Sequence, residues 1–154
     1  MHRYSETKIL PYTATQLFAL VVDIEKYPEF IPWCRGARIV SREVDSFLGE
    51  LVISFSHLTE RYTSRVTPVS PSANHEGRID VALVSGPFKR LNNHWRFVPH
   101  PEGCEIHLDL DFEFKSKLLD TMLGGIFGRA CEKMVGAFTA RAATLYNASA
   151  LGNR

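Results

Sequence analysis

Asp109 and Asp111 are the side chains in this sequence that most resemble a general acid–base pair, because they stand two residues apart on one strand-like segment. Such a pair works only when both carboxylates face the same substrate. Apolar residues alternate with them, so both belong to the polar side of the strand, which faces water. We therefore expect Asp109 and Asp111 on a solvated surface, without a catalytic role.

The histidines are equally weak candidates for chemistry. The sequence has 6 histidines, and their spacing matches no metal-ligand pattern. His57 has the parity of an inward-facing strand residue, but it lacks a carboxylate or metal partner, so we interpret it as hydrogen-bonded or solvated. Phosphate-binding, serine-nucleophile and zinc-protease motifs are absent from the sequence. We expect no catalytic residue, no metal site and no required cofactor, and hence a protein that is not an enzyme.

Composition indicates one globular domain. The chain has 154 residues, of which 45% are hydrophobic, and a net charge of +1, which argues against a DNA-binding protein. Cys34, Cys104 and Cys131 are odd in number and far apart, so we expect buried, reduced thiols. We predict a single domain over residues 1–147 and a frayed tail over residues 148–154.

Neither a membrane span nor a secretory signal is indicated. The longest apolar run, Leu17–Val22, is far shorter than the ~20 residues that cross a bilayer. The opening segment MHRYSETKIL is mixed polar and does not resemble a signal peptide. We therefore expect a cytoplasmic protein.

The first part of the chain reads as a strand followed by a helical segment. Thr13 and Gln16 form a Thr-x-x-Gln capping box ahead of residues with helical apolar spacing. Pro28 disfavours the helical conformation at Tyr27, so regular helix should stop near there.

The rest of the chain predicts about six strands and then one long helix. The clearest strand is Cys104–Lys115, in which apolar and polar residues alternate without a break, as in an antiparallel sheet with one buried face. From Ser116 to Tyr146 the apolar spacing is helical. A curved sheet that packs on a single helix leaves a gap wherever the two surfaces diverge.

Two features of the final helix support a gap. Gly124, Gly125 and Gly128 each cost up to about 1 kcal/mol in a helix interior, so they call for close backbone approach, a kink or room for a ligand. Met122 and Met134 are flexible enough to follow an irregular apolar space, although ordinary core packing would also use them.

The stretch YPEFIPWC, from Tyr27 to Cys34, is too apolar for a solvated turn. It holds three aromatic rings and two prolines, whereas turns normally use Gly, Asn, Asp and Ser. We interpret the segment Tyr27–Trp33 as the lid of an apolar cavity, with hinges near Asp23 or Gly36.

These segments resemble the coenzyme Q-binding START-domain family, in the polyketide cyclase/dehydrase-like group that also includes bacterial ribosome-association toxins. The matching text is VVDIEKYPEFIPWC, then GPFKRLNNHWRF, then FEFKSKLL, with MVGAFTARA in the last helix. Their order and spacing fit the family from about Arg3 to Tyr146, and YPEFIPWC is the most specific piece.

The resemblance implies an α+β helix-grip fold of the START or Bet v 1 type. This fold is a curved seven-stranded antiparallel sheet around a long C-terminal helix, with two short helices after the first strand. The resemblance also implies a hydrophobic cavity for a lipid, usually ubiquinone, and a carrier or chaperone role in respiration. The toxin-like branch is instead assigned binding to the large ribosomal subunit.

The predicted ligand-binding residues combine the lid with the apolar faces of the strands and of the last helix. The lining we expect is Tyr27, Phe30, Pro32, Trp33, Leu51, Ile53, Phe55, Tyr62, Asn93, Trp95, Phe97, Leu110, Phe112, Leu123, Phe127 and Met134. Asn93 shares its strand face with apolar residues, so its amide would bond either a quinone oxygen or a neighbouring backbone group.

Three functions compete on this basis. The first is a carrier of ubiquinone or another polyprenyl lipid, and the second is a ribosome-associated regulator. The third, a cyclase- or hydrolase-type enzyme, is least favoured because no inward acid–base pair is evident. Aromatic and basic residues in one segment also predict transient contact with the inner-membrane surface. That surface would comprise Tyr27, Phe30, Ile31 and Trp33 with Lys26, Arg35 and Arg38.

Overall fold

The computed structural model describes residues 2–55 and 58–147. The interpretation of His57 and the predicted frayed tail over residues 148–154 lie outside the described residues.

A single antiparallel sheet of seven strands accounts for most of the described chain. Its strand order is β1-β7-β6-β5-β4-β3-β2, so the first strand pairs with the last one and the other neighbours are joined by short connections. Irregular register in β2, β5 and β6 bends the sheet. The strands are His2–Leu10 (β1), Cys34–Arg42 (β2), Phe47–Phe55 (β3), Leu58–Val69 (β4), Gly77–Ser85 (β5), Phe88–His100 (β6) and Gly103–Phe114 (β7).

Two short helices lie between β1 and β2, as the family resemblance implies. Helix α1 spans Ala14–Val22, and a 3-10 helix spans Ile24–Glu29. The predicted capping box is confirmed, because Thr13 Oγ1 accepts from the Gln16 backbone N at 3.1 Å and Gln16 Oε1 accepts from the Thr13 N at 3.0 Å. The α-helix ends earlier than predicted, at Val22, and Pro28 lies inside the 3-10 helix.

The C-terminal helix packs on the concave face of the sheet in two segments. Helix α2 spans Lys117–Glu132 and helix α3 spans Met134–Ala142, followed by a π-helical turn over Ala143–Asn147. At the junction, the Lys133 N–H donates to the Ala130 carbonyl at 3.2 Å, the tighter bond of a helix end. The predicted helix is therefore present but interrupted, and the three glycines lie within α2 rather than at the break.

Phe127 of α2 is the centre of the contact between helix and sheet. Its ring lies 4.6 Å from the ring of Phe112, 5.5 Å from Phe88 and 5.7 Å from Phe55. Phe138 plays the same part for α3, with its ring 5.4 Å from Trp95. The helix side chains buried against the sheet are Leu123, Phe127, Cys131, Val135, Phe138 and Ala142.

The glycines of α2 have different surroundings. A Cβ on Gly124 would lie 2.4 Å from His2 Nε2, so this glycine permits the close approach of β1. Gly125 and Gly128 would place a Cβ in open space. The prediction that Met122 faces an internal gap is wrong, since its side chain is 52% exposed on the outer side of the helix.

Alanine substitutions at adjacent glycines should have opposite effects. Gly125→Ala is expected to raise the free energy of unfolding by about 0.5–1 kcal/mol, through helix propensity alone. Gly124→Ala should give no gain, because the new methyl displaces the His2 ring from its 4.8 Å stacking on Phe112 and its 3.1 Å contact with Asp120. Urea denaturation measures the free energy of unfolding of both variants. Equal stabilisation by Gly124→Ala and Gly125→Ala would contradict this account.

Candidate ligand site

An internal cavity lies between the sheet and the segment from α1 to the 3-10 helix. Its volume is about 60 Å³, enough for a few water molecules and well below the ~300–1,000 Å³ of typical small-molecule pockets. The interior of this structure is therefore nearly filled. The lining residues are Val21, Ile24, Tyr27, Trp33, Gly49, Leu51, Tyr62, Ser64, Val66, Ile79, Val81, Asn93, Trp95 and Met134.

Two buried polar atoms on the cavity wall lack a hydrogen-bond partner among the described residues. They are Ser64 Oγ, on a side chain that is 4% exposed, and Asn93 Oδ1. An unsatisfied buried polar group costs about 1–3 kcal/mol. Because both atoms belong to residues that line the same cavity, a polar group placed there can bond them.

An open groove adjoins the cavity on the other side of the lid. Its volume is about 700 Å³, and it runs between Phe30–Trp33 and the junction of α2 with α3. Trp33 and Met134 line both the groove and the cavity. These two side chains therefore form the wall between the closed space and the open one.

The predicted lining residues divide into three groups. Seven line the cavity, namely Tyr27, Trp33, Leu51, Tyr62, Asn93, Trp95 and Met134. Phe30, Pro32 and Phe55 line the groove, together with Trp33 and Met134. Ile53, Phe97, Leu110, Phe112, Leu123 and Phe127 line neither space, because they are packed against one another and against α2 and α3 as core.

Several lining residues were missed from the sequence. Ser64 has the same parity as Tyr62, so strand alternation was the signal that could have found it. Nothing in the sequence pattern marked Gly49 as a lining residue. It lines the cavity because the 3-10 helix approaches it closely, and a Cβ there would lie 2.5 Å from Ile24 Cδ1. The other missed residues are Val21, Ile24, Val66, Ile79 and Val81.

The lid is folded inward. The Tyr27 hydroxyl donates to the Val21 carbonyl, and the Tyr27 and Phe30 rings meet Phe138 edge-on at 5.4 Å and 5.3 Å. Ile31 is 2% exposed. The Trp33 ring packs on Phe55 and Phe127. The predicted membrane contact through these rings therefore requires them to turn outward from this conformation.

An ion pair fastens the lid to α3. Arg141 Nη2 donates to Glu29 Oε1 at 2.6 Å, and the Arg141 guanidinium lies 5.2 Å from the centre of the Phe30 ring. The hydrogen bond from Arg141 holds the pKa of the Glu29 carboxyl below its usual value. This contact joins the start of the lid to the helix that closes the cavity.

The side chains at the cavity offer little acid–base chemistry. Burial raises the pKa of Tyr27 and of Tyr62, and it raises the pKa of the nearby Cys34 thiol to about 11 and of Cys131 to about 12. Asp109 and Asp111 lie on the outer side of the sheet, where Asp111 accepts from Arg90 Nε at 2.9 Å. In the described residues, no three His, Cys, Asp or Glu side chains are grouped as a metal site requires.

A curved antiparallel sheet closed by a C-terminal helix over an internal cavity defines a START-like, helix-grip protein. Residues 10–139 match the family described as polyketide cyclase / dehydrase and lipid transport. The chain belongs to this family. Among the described residues, no helix is both long and apolar enough to cross a membrane.

Two relatives of this chain carry different names. The chain is 43% identical to the ribosome association toxin RatA of Rickettsia prowazekii, over 92% of this chain and 97% of that protein. It is 31% identical to the mitochondrial coenzyme Q-binding protein COQ10 homolog B of Xenopus laevis, over 93% of this chain and 59% of that protein.

Solved structures agree on the fold. An 18 kDa protein from Caulobacter crescentus is 42% identical, with a TM-score of 0.73 over 96% of this chain and 99% of that one. A START superfamily protein from Mycobacterium smegmatis gives a TM-score of 0.74 at 22% identity, over 94% of this chain and 99% of that one. At that identity the second likeness concerns the fold alone.

The Glu29–Arg141 contact predicts a pH-dependent lid. The lowered pKa means that the contact stabilises the fold above the ordinary glutamate pKa of about 4.3 and is lost as the pH falls through the lower folded value. An NMR titration of the Glu29 carboxyl should give a pKa below the ordinary value in the wild type and a higher one in Arg141→Gln, where Lys26 remains the nearby cation. An ordinary Glu29 pKa in the wild type would rule out the contact in solution.

Proposed function

We propose that this protein binds ubiquinone or another polyprenyl lipid in its interior and acts as a carrier that supports respiratory electron transport. The carrier would be located in the cytoplasm and would not catalyse a reaction. The observation that carries the proposal is the cavity itself. Its wall is mainly apolar, and it carries two buried polar atoms without partners among the described residues, Ser64 Oγ and Asn93 Oδ1. An apolar ligand with one polar end fits such a lining.

The ligand enters by displacing the shared wall. At about 60 Å³ the cavity is too small for a substituted quinone ring. A rotation of Trp33 and Met134 would join it to the groove of about 700 Å³. The groove then takes the prenyl tail, for which each buried CH₂ contributes roughly 0.8 kcal/mol.

Hydrogen bonds would orient the ring. The Ser64 hydroxyl can donate to a quinone carbonyl, and the Asn93 amide can do the same with its NH₂ group after a half-turn of the side chain. Asn93 lies on β6 opposite Val81 of β5 and Leu110 of β7, in the middle of the sheet. The ring would therefore stand over the centre of the sheet.

Two further observations support a carrier. The relative from Xenopus laevis is named a coenzyme Q-binding protein. The titratable groups at the cavity are tyrosines and thiols whose pKa values are raised by burial, so proton exchange near neutral pH is not favoured there.

Neighbouring asparagines provide a matched test. Binding of a short-chain ubiquinone, followed by tryptophan fluorescence, should weaken roughly fivefold in Asn93→Leu and in Ser64→Ala, the loss of about 1 kcal/mol for one hydrogen bond. Asn92→Leu is the control, because the Asn92 amide points to the outer side and donates to Asp111 at 3.4 Å.

Solvent extraction and mass spectrometry of the purified protein should also recover a prenyl lipid. Empty extracts together with no binding of the short quinone would refute the carrier.

A second function is favoured by one observation. The 43% identity to a protein named ribosome association toxin extends over 92% of this chain. We propose binding to the large ribosomal subunit as the alternative to lipid carriage.

Sucrose-gradient sedimentation at low salt tests this alternative. If it holds, the protein migrates with the large subunit and is released as salt is raised. Absence from every ribosomal fraction at low salt would dismiss it, whatever the outcome of the lipid experiment.

A further inference from the structure

Four cations on and next to α2 have no acidic partner in the described part of the chain. They are Lys115, Lys117, Arg129 and Lys133, and all four are exposed. Elsewhere, pairing with a carboxylate within 4 Å is common for the lysines and arginines. The paired ones are Lys8, Lys26, Arg38, Arg61, Arg65, Arg78, Lys89, Arg90, Arg96 and Arg141.

Two large apolar side chains are exposed between these cations. Leu118 is 68% exposed and Met122 is 52% exposed, although apolar residues at helical spacing normally face the core. They are four residues apart, so they lie side by side on the helix surface. An exposed apolar pair of this kind indicates an interaction site when polar or charged groups surround it.

The apolar pair and the two later cations share one face of the helix. At about 100° per residue, Leu118, Met122, Arg129 and Lys133 project within about 60° of one another, over about 22 Å of helix. Phe127 projects to the opposite side and is buried against the sheet. Within residues 2–55 and 58–147, no contact of this outer face of α2 explains its apolar side chains.

The acidic residues of α2 do not neutralise this face. Asp120 is turned toward the sheet, where its Oδ1 accepts from the Phe114 backbone N at 3.1 Å and contacts His2 Nε2 at 3.1 Å. Glu132 is exposed and projects about 40° from Leu118, so it offsets one of the four cations. The net charge around the apolar pair is therefore positive.

We propose that the outer face of α2 docks the protein on an anionic lipid bilayer. Leu118 and Met122 enter the headgroup region, and Lys115, Lys117, Arg129 and Lys133 meet the lipid phosphates. Aliphatic side chains flanked by cations suit this partner. An RNA partner would favour aromatic or arginine stacking at the centre of the patch instead.

The same face leads into the groove. Arg129 and Lys133 line the groove as well as the outer face, and they are the charged residues among the described residues of its lining. Docking through α2 would therefore bring the mouth of the groove to the bilayer. The inference concerns a surface separate from the cavity and does not depend on which ligand the cavity holds.

Vesicle flotation with the full-length protein tests the docking surface. The wild type should float with vesicles of equimolar phosphatidylcholine and phosphatidylglycerol and not with phosphatidylcholine alone, and binding should weaken with salt. Arg129→Gln with Lys133→Gln should reduce affinity roughly thirtyfold, at about 1 kcal/mol for each cation. Leu118→Ser with Met122→Ser should reduce it about tenfold.

Matched variants on the outer side of the sheet serve as controls. Arg3→Gln with Arg78→Gln removes the same charge, and Val69→Ser with Val84→Ser removes two apolar side chains that are 52% and 49% exposed. Both controls should float like the wild type, and circular dichroism checks that all variants fold. Absence of flotation, equal loss in the controls, or binding of the large ribosomal subunit through the α2 face without flotation would overturn the proposal. Quinone binding in solution should be unchanged in Leu118→Ser with Met122→Ser, because these side chains line neither the cavity nor the groove, and this separates the inference from the carrier function.

Discussion

The packing of Phe127 and Phe138 on a curved sheet is the contact on which the rest of the structure depends. A sheet with one apolar face must bury that face, and here the helix pair α2 and α3 is the partner. Where the rings of the helix meet the rings of the sheet, the interior is full. Where the sheet curves away near β3 to β6, a cavity of about 60 Å³ is left, and its surroundings decide what the protein can bind.

Only a small number of side-chain contacts close that cavity. The lid is fixed by the packing of Tyr27 and Phe30 on Phe138 and by the ion pair between Glu29 and Arg141. Of the residues that the structure describes, Trp33 and Met134 line both the cavity and the groove. Enlarging the site therefore requires movement of a few side chains and the lid, while the sheet and the contacts of Phe127 with Phe88 and Phe112 stay as they are. A nearly filled interior and a ligand-binding function are compatible on this basis.

Lipid carriage and ribosome association place different demands on the same chain. The first depends on the inside of the fold, through Ser64, Asn93 and the wall formed by Trp33. The second depends on the surface, and the relatives named for it have high coverage of the chain. The exposed face of α2 is a surface feature that the interior does not require, because Leu118 and Met122 contribute nothing to the buried core. Interior and surface can thus be tested separately.

The sequence by itself determined the elements and the fold. Strand alternation in Cys104–Lys115, the capping box at Thr13 and Gln16, and the family resemblance predicted the seven-stranded sheet, the short helices and the C-terminal helix. These features are local or repeat along the chain, so they can be read without contacts. Only the tertiary structure decided which apolar residues form core and which form the cavity. Phe127 and Trp33 are both aromatic residues in apolar stretches of the sequence. In the structure, Phe127 is enclosed by other rings, whereas Trp33 stands between a cavity and a groove. That difference depends on how two surfaces diverge. The break at Lys133 and the inward turn of the lid likewise have no signal in residue spacing, whereas the outward position of Met122 agrees with its helical spacing from the buried Phe127.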